Sequence, residues 1–155
     1  MAAEKETPAE DTSDREIITA RVFDAPRELV WKAWTEPEHI AQWWGPNGFT
    51  NTIHEMDVRP GGAWRFIMHG PDGVDYKNHS VFIEVTEHRC LVHDHLSGPK
   101  FHVTVTFDDE GDRTKVTMRM LFDTAEEHHK VVEQYGAIEG AKQTFARLAE
   151  HLTRM

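Results

Sequence analysis

The sequence predicts an α+β domain: a curved antiparallel sheet of about seven strands packed against a long C-terminal helix. Three observations support this. Apolar and polar residues alternate over residues 50–122, and turn signals at Arg59-Pro60-Gly61-Gly62, Gly70-Pro71-Asp72-Gly73, Ser97-Gly98-Pro99 and the acidic stretch 108–112 cut that region into strands. Ahead of it lie one β-branched run and two short helical segments. Behind it, apolar residues recur at three-to-four spacing almost to the end of the chain. The sheet's apolar face needs that last helix to cover it, which makes two layers.

Residues 17–23 read as the first strand, bounded by Asp24-Ala25-Pro26. Asp24 is placed to cap a helix and Pro26 to sit in its first turn. Leu29, Val30, Ala33 and Trp34 then recur at helical spacing. Thr35-Glu36-Pro37-Glu38 has the spacing of a capping box, opening a second short helix through Ile40 to about Trp43, and Gly45-Pro46 ends it. Alternation then puts Trp64, Phe66 and Met68 on one strand face. Phe101, Val103, Val105 and Phe107 share another, and Val116, Met118, Met120 and Phe122 a third. The remaining strands span 76–86 and 89–96. Thr124-Ala125-Glu126-Glu127 is a second capping box, and Val131, Val132, Tyr135, Ile138, Ala141, Phe145, Leu148 and Leu152 predict one long amphipathic helix behind it.

The 155 residues suit one domain over 16–155, preceded by an acidic tail over 1–15 that is expected to be disordered. A formal charge of -10 argues against nucleic acid as a partner. Cys90 is the single cysteine and cannot form an internal disulfide. No secretory leader pattern and no long apolar span is present, so a cytoplasmic protein without a membrane span is expected. No Gly-rich phosphate loop occurs, and Gly61-Gly62 precedes a strand rather than a helix, so no nucleotide or other cofactor is expected.

A twisted sheet cannot meet a straight helix everywhere, and the mismatch leaves room for a cavity where a small ligand binds. Trp43, Trp44, Trp64, Phe66 and Phe82, with Met56, Met68, Met118 and Met120, would suit an adaptable apolar ligand, although an ordinary core needs such residues too. His93-Asp94-His95 puts two imidazoles on the face of Leu91, as polar contacts or general bases if that face is inward and as exposed side chains if it is not. A metal would need a third ligand such as His102 or His69, and the spacing matches no zinc pattern, so no metal is expected. Asp57 and Arg59 before the Gly61-Gly62 turn, with Arg65 after it, read as structural ion pairing. Cys90 reads as a small buried hydrophobe. Tyr135 faces the sheet, close to Gly136 and Gly140, whose presence implies close backbone approach, a bend or tight packing.

Taken together and in order, certain segments resemble a known family. They are Trp43-Trp44-Gly45-Pro46, Glu55-Met56-Asp57-Val58-Arg59-Pro60-Gly61-Gly62, Trp64-Arg65-Phe66, His69-Gly70-Pro71-Asp72-Gly73 and Gly136-Ala137-Ile138-Glu139-Gly140-Ala141-Lys142-Gln143-Thr144. The set resembles bacterial members of the SRPBCC or START-like superfamily, in the branch named after the C-terminal domain of the activator of heat-shock-protein-ninety ATPase. The resemblance implies the helix-grip fold, also described as birch-pollen-allergen-like, with a hydrophobic pocket between sheet and last helix. Superfamily relatives bind lipids, sterols, hormones and polyketides, and a minority are enzymes. The expectation is therefore a binder of a small apolar, ring-containing or lipid-like molecule at Trp44, Trp64, Phe66, Met68, Phe82, His93, His95, Met118, Met120 and Tyr135, with no catalytic residue assigned. One alternative is an enzyme of the polyketide cyclase or hydrolase kind using the pocket histidines. Another is a co-chaperone-like interaction domain, disfavoured because the eponymous protein has a further N-terminal domain. An edge strand or exposed tryptophans near Trp43 would support a homodimer.

Overall fold

A computed structural model describes residues 11–155. The chain runs β1 (Glu16–Phe23), α1 (Arg27–Thr35), α2 (Pro37–Trp43), β2 (Thr50–Met56), β3 (Ala63–His69) and β4 (Asp75–Thr86). It continues as β5 (Cys90–His95), β6 (Phe101–Glu110), β7 (Arg113–Phe122), α3 (Ala125–Tyr135) and α4 (Ala137–Leu152). The seven strands form one antiparallel sheet in the order β1-β7-β6-β5-β4-β3-β2. Strands β2 to β7 are thus a meander, while α1 and α2 carry the chain from one edge of the sheet to the other. This is the expected α+β helix-grip arrangement.

Strand alternation sets the site, because successive side chains point to opposite faces. Trp64 stands opposite Ser80, Ser80 opposite His95, and His95 opposite Phe101. A second row joins Phe82, His93, Val103, Met120 and Ile17. Both rows lie on the helix-covered face. At one end of that face the helices fill the space: Phe145 and Leu148 of α4 are fully buried, and the Phe145 ring lies 5.6 Å from Phe23 and 6.3 Å from Trp34. Trp43 belongs to this packed end. It is fully buried, 4.9 Å from Trp34, and donates its indole N–H to the Ala33 carbonyl at 3.1 Å, so it offers nothing to a dimer surface.

The expected single C-terminal helix is two helices. Gly136 adopts a left-handed conformation (φ 58°), closing α3 as its C-cap and opening α4. A side chain is disfavoured at such a φ, and the glycine removes that cost. The break resets the helical phase, so Tyr135 and Ile138, on either side of it, are 60% and 44% exposed instead of facing the sheet. Gly140 has a different basis, since a Cβ there would make only ordinary contact with Pro46 at 3.5 Å.

Two expected caps are also corrected. Pro26, not Asp24, is the N-cap of α1, and Asp24 instead lies 3.7 Å from Arg113. Glu36 is the N-cap of α2 without a side-chain bond, because Thr35 donates its hydroxyl back to the Trp31 carbonyl. The N-cap half of the expected box of α3 does form, with the Thr124 hydroxyl accepting from the Glu127 N–H at 3.1 Å, while the Glu127 carboxylate meets that same hydroxyl at 3.4 Å. Arg65 pairs across the hairpin with Glu55 at 2.9 Å rather than with Asp57, which binds Arg59 at 2.7 Å. Cys90 is half-buried rather than enclosed, and burial followed by the charge of Glu84 pushes its thiol pKa up. Of the tail expected over 1–15, residues 1–10 lie outside the described residues. Within the rest, Arg15 donates to the Phe122 carbonyl at 2.7 Å and Thr12 accepts from Arg119 at 3.0 Å.

Candidate functional site

A cavity of about 230 Å³ lies between the sheet and the N-terminal half of α4. Its existence follows from side-chain size. The sheet contributes large groups from β3, β6 and β7, whereas α4 faces them with Ala137, Gly140, Ala141 and Thr144. One turn later the helix changes to Phe145 and Leu148 and the gap closes. Small residues opposite a concave sheet leave space that no neighbour fills, and such space stays available to a ligand.

Nine of the ten residues expected to contact a ligand line this cavity: Trp44, Trp64, Phe66, Met68, His93, His95, Met118, Met120 and Tyr135. Phe82 does not. It is 1% exposed and stacks behind Trp64 at 6.2 Å, as part of the core. Tyr135 reaches the cavity only at its mouth, consistent with its exposure. A vestibule outside the mouth has Phe49 and Tyr76 with ring centres 6.0 Å apart, and Lys77 and Asp75 also border it.

The two strand histidines take up different positions. His93 is 4% exposed and meets Trp64 edge-on at 5.5 Å. Its Nδ1 and the Trp64 indole N–H are both buried without a hydrogen-bond partner among the described residues. His95 is tied down: its Nδ1–H donates to the Pro99 carbonyl at 2.8 Å, and Nε2 lies 2.7 Å from the terminal amide of Asn78 and 3.3 Å from the Ser97 hydroxyl. His102 and His69 stand elsewhere. His102 pairs with Asp94 at 2.5 Å, both being one residue out of phase with the cavity face. His69 binds Thr52 and Asp75 at 2.7 and 2.8 Å. Among the described residues, no three His, Cys, Asp or Glu side chains converge as metal ligands would.

Burial, reinforced by His95, pushes His93 from 6.5 down to about 3, with Asp94 opposing in part. Burial lowers His95 as well. A neutral His93 has a consequence for folding. Below pH 6.5 the unfolded chain takes up a proton that the folded one refuses, so the contribution is complete above that pH and is lost as pH falls toward 3. From pH 7 to pH 5 the loss at His93 is about 2 kcal/mol. Urea unfolding at the two pH values should show it, and His93→Leu should reduce the difference by about 2 kcal/mol, leaving the shares of His95 and His151, which burial also lowers. Equal pH dependence in the variant would place the effect elsewhere.

Sequence reasoning missed Arg147, which shapes the site from behind its wall, and Asn78 and Ser80, which line it. From α4 the Arg147 guanidinium donates to the carbonyls of Gly45, Pro46 and Phe49, each at 2.9 Å, and more distantly to Trp44 and Gln42. All but that of Gln42 follow the end of α2, where Gly45-Pro46 leaves the backbone without helical donors. The clamp holds Trp44, Gly45 and Pro46 as the cavity wall. No spacing rule connects position 147 with positions 42–49. Asn78, Ser80, Phe101 and Val103 complete the sheet side of the lining.

The family model described as Activator of Hsp90 ATPase homolog 1-like protein matches residues 24–153. The chain belongs to this family. No curated protein matches it. Solved structures similar to this member of the Activator of Hsp90 ATPase homolog 1-like family come from several bacteria. A protein from Arthrobacter aurescens is 24% identical, with 95% of this chain and 91% of that one covered and a TM-score of 0.86. One from Nitrosomonas europaea is 25% identical, covering 92% and 96%, with a TM-score of 0.81. The AHSA1-like protein from Aeromonas hydrophila is 22% identical, covering 90% and 92%, at 0.72. These likenesses establish the helix-grip fold of the Activator of Hsp90 ATPase homolog 1-like family here. No helix among the described residues is long and apolar enough to cross a membrane.

Proposed function

We propose that this protein binds a small apolar, ring-containing molecule in the cavity between the sheet and α4. The observation that supports this best is the pairing of a 230 Å³ space with a lining that contains no Asp, Glu, Lys or Arg and is mostly aromatic, methionine and small aliphatic. Such a lining rewards apolar contact, and thioethers adapt to irregular ligand shapes. An enzyme using His93 as general base is the weaker reading. A base acts best when its pKa lies near the working pH, and burial holds His93 far below that.

Blocking the cavity tests the proposal. Met120 lines the cavity from β7 and is only half-buried, so Met120→Trp adds bulk toward the empty side. Naphthalene, followed by quenching of tryptophan emission, should bind the wild type saturably. The variant should lose at least about 30-fold in affinity, or about 2 kcal/mol. A folded Met120→Trp protein with unchanged naphthalene affinity would remove the cavity as the binding site.

A further inference from the structure

The cavity does not end at its mouth. It opens into a vestibule of about 670 Å³, and the two spaces share Met68, Asn78, His95, Phe101, Met120 and Tyr135 as common walls. The continuity comes from strand register. Trp64 stands opposite Ser80, Phe66 opposite Asn78 and Met68 opposite Tyr76, so the row of side chains that lines the cavity runs on along β3 and β4 to Tyr76. There α3 takes over from α4 as the other wall, through Val131, Gln134 and Tyr135.

Three features fit the vestibule to an apolar occupant. Its aromatic rings stand in the open: Tyr76 is 37% and Tyr135 60% exposed, and Phe49 is half-buried with its ring centre 6.0 Å from that of Tyr76. Single exposed apolar residues are ordinary, but rings gathered at the mouth of an apolar cavity form a patch that a ligand can cover. One wall is also fixed in advance. Arg147 donates to the Pro46 and Phe49 carbonyls at 2.9 Å, and Gly45, where a Cβ would stand 2.8 Å from the Met68 methyl and 3.1 Å from the Phe49 Cβ, lets the loop close on both. A wall that needs no ordering on binding lowers the entropy lost there. Charge, finally, is turned away. Asp75 and Lys77 border the vestibule, yet alternation along β4 directs both side chains to the face opposite Tyr76 and Asn78, where Asp75 meets His69 at 2.8 Å.

Size sets the remaining constraint. An apolar cavity of about 150 Å³ takes up one benzene, so the 230 Å³ here admit a ring and only a few carbon atoms more. A longer molecule continues through the mouth. Resting on the reading of the cavity as a ligand site, we propose that the vestibule is its second subsite and that the ligand is an elongated, uncharged molecule. A ring of that molecule fills the cavity, and a hydrocarbon arm lies in the vestibule against Phe49, Tyr76 and Tyr135.

A series of ω-phenylalkan-1-ols, titrated calorimetrically into the full chain, reads the arm, because the ring stays constant while the chain grows. A fully buried methylene is worth about fourfold in affinity, and one covered on a single side about twofold. From 4-phenylbutan-1-ol to 8-phenyloctan-1-ol the affinity should therefore rise by at least about tenfold. Any apolar surface would reward length, so the location of the arm is read from the ratio of those two affinities in Tyr76→Ser and in Phe49→Ser, which should fall to about threefold or less. Neither side chain is buried, and either variant reports if the other fails to fold. If 8-phenyloctan-1-ol binds no more than about twofold tighter than 4-phenylbutan-1-ol, the second subsite is overturned and the cavity remains as a site for short ligands. A rise of about tenfold that persists in both variants would overturn the placement of the arm in the vestibule. Failure of the whole series to bind, 2-phenylethan-1-ol included, would overturn the cavity as a ligand site and the subsite with it.

Discussion

Replacing Arg147 by methionine is expected to lower the stability of the protein by about 3 kcal/mol. Three donations at 2.9 Å and two longer ones are lost together, and the carbonyls of Gly45, Pro46 and Phe49 lose their charged donor. Methionine keeps much of the apolar stem, so the effect isolates the guanidinium. Lysine restores the charge without the planar fork and reaches fewer carbonyls, and it should recover no more than about half of the loss. Thermal unfolding followed by circular dichroism reads this as a drop of roughly 10 °C for methionine, given the size of the domain. A change of under about 0.5 kcal/mol, typical of an ordinary surface substitution, would show that the loop needs no clamp.

The second large effect separates two adjacent glycines. Gly61 has φ 84° with no atom within 4 Å of a Cβ placed on it, whereas a Cβ on Gly62 would stand 1.9 Å from the Asp57 carbonyl oxygen. The first glycine is required by its dihedral angle and the second by crowding. Both also bond across to β4, Gly61 donating to the Phe82 carbonyl at 2.7 Å and Gly62 accepting from the Phe82 N–H at 2.9 Å. Gly61→Ala should therefore cost about 1 to 2 kcal/mol, the strain of a left-handed residue. Gly62→Ala should cost more than about 4 kcal/mol, because backbone must move and the Phe82 bonds go with it. Denaturant midpoints of the two variants provide the comparison. Equal losses would contradict the assignment of separate causes.

Those two glycines also show how far the sequence could be read. The pair was legible as a turn, because it separates two alternating runs, but the distinct need at each position depends on where the Asp57 carbonyl folds back. The strand faces were legible for the same reason that alternation works at all: Trp64, Phe66 and Met68 share a side in any extended strand. Phe82 satisfied the same pattern and still fell outside the cavity, because position along the sheet, and not face alone, decides whether a side chain meets the hollow end or the filled one. The helix break at Gly136 escaped the pattern because apolar residues on both sides continue at nearly helical spacing. Only the left-handed backbone reveals the change of phase that turns Tyr135 outward.

The cavity itself was half legible. Large wall residues announce themselves, but the space exists because Ala137, Gly140, Ala141 and Thr144 are small, and smallness at a helix position looks the same whether a neighbour fills the gap or not. Arg147 illustrates the remaining limit. Its partners lie about a hundred residues away in sequence, and nothing local distinguishes it from a solvated arginine.

The most direct test of ligand binding in this cavity is a methyl-resolved NMR titration of 2-naphthol into protein carrying ¹³C-methyl methionine. Met68, Met118 and Met120 line the cavity, whereas Met56 and Met155 pack against the core away from it. Saturable shifts at the first three, with the last two unmoved and all response suppressed in Met120→Trp, are the predicted result. Saturable binding that leaves Met68, Met118 and Met120 unperturbed, or no binding at all, would contradict a ligand site between the sheet and α4.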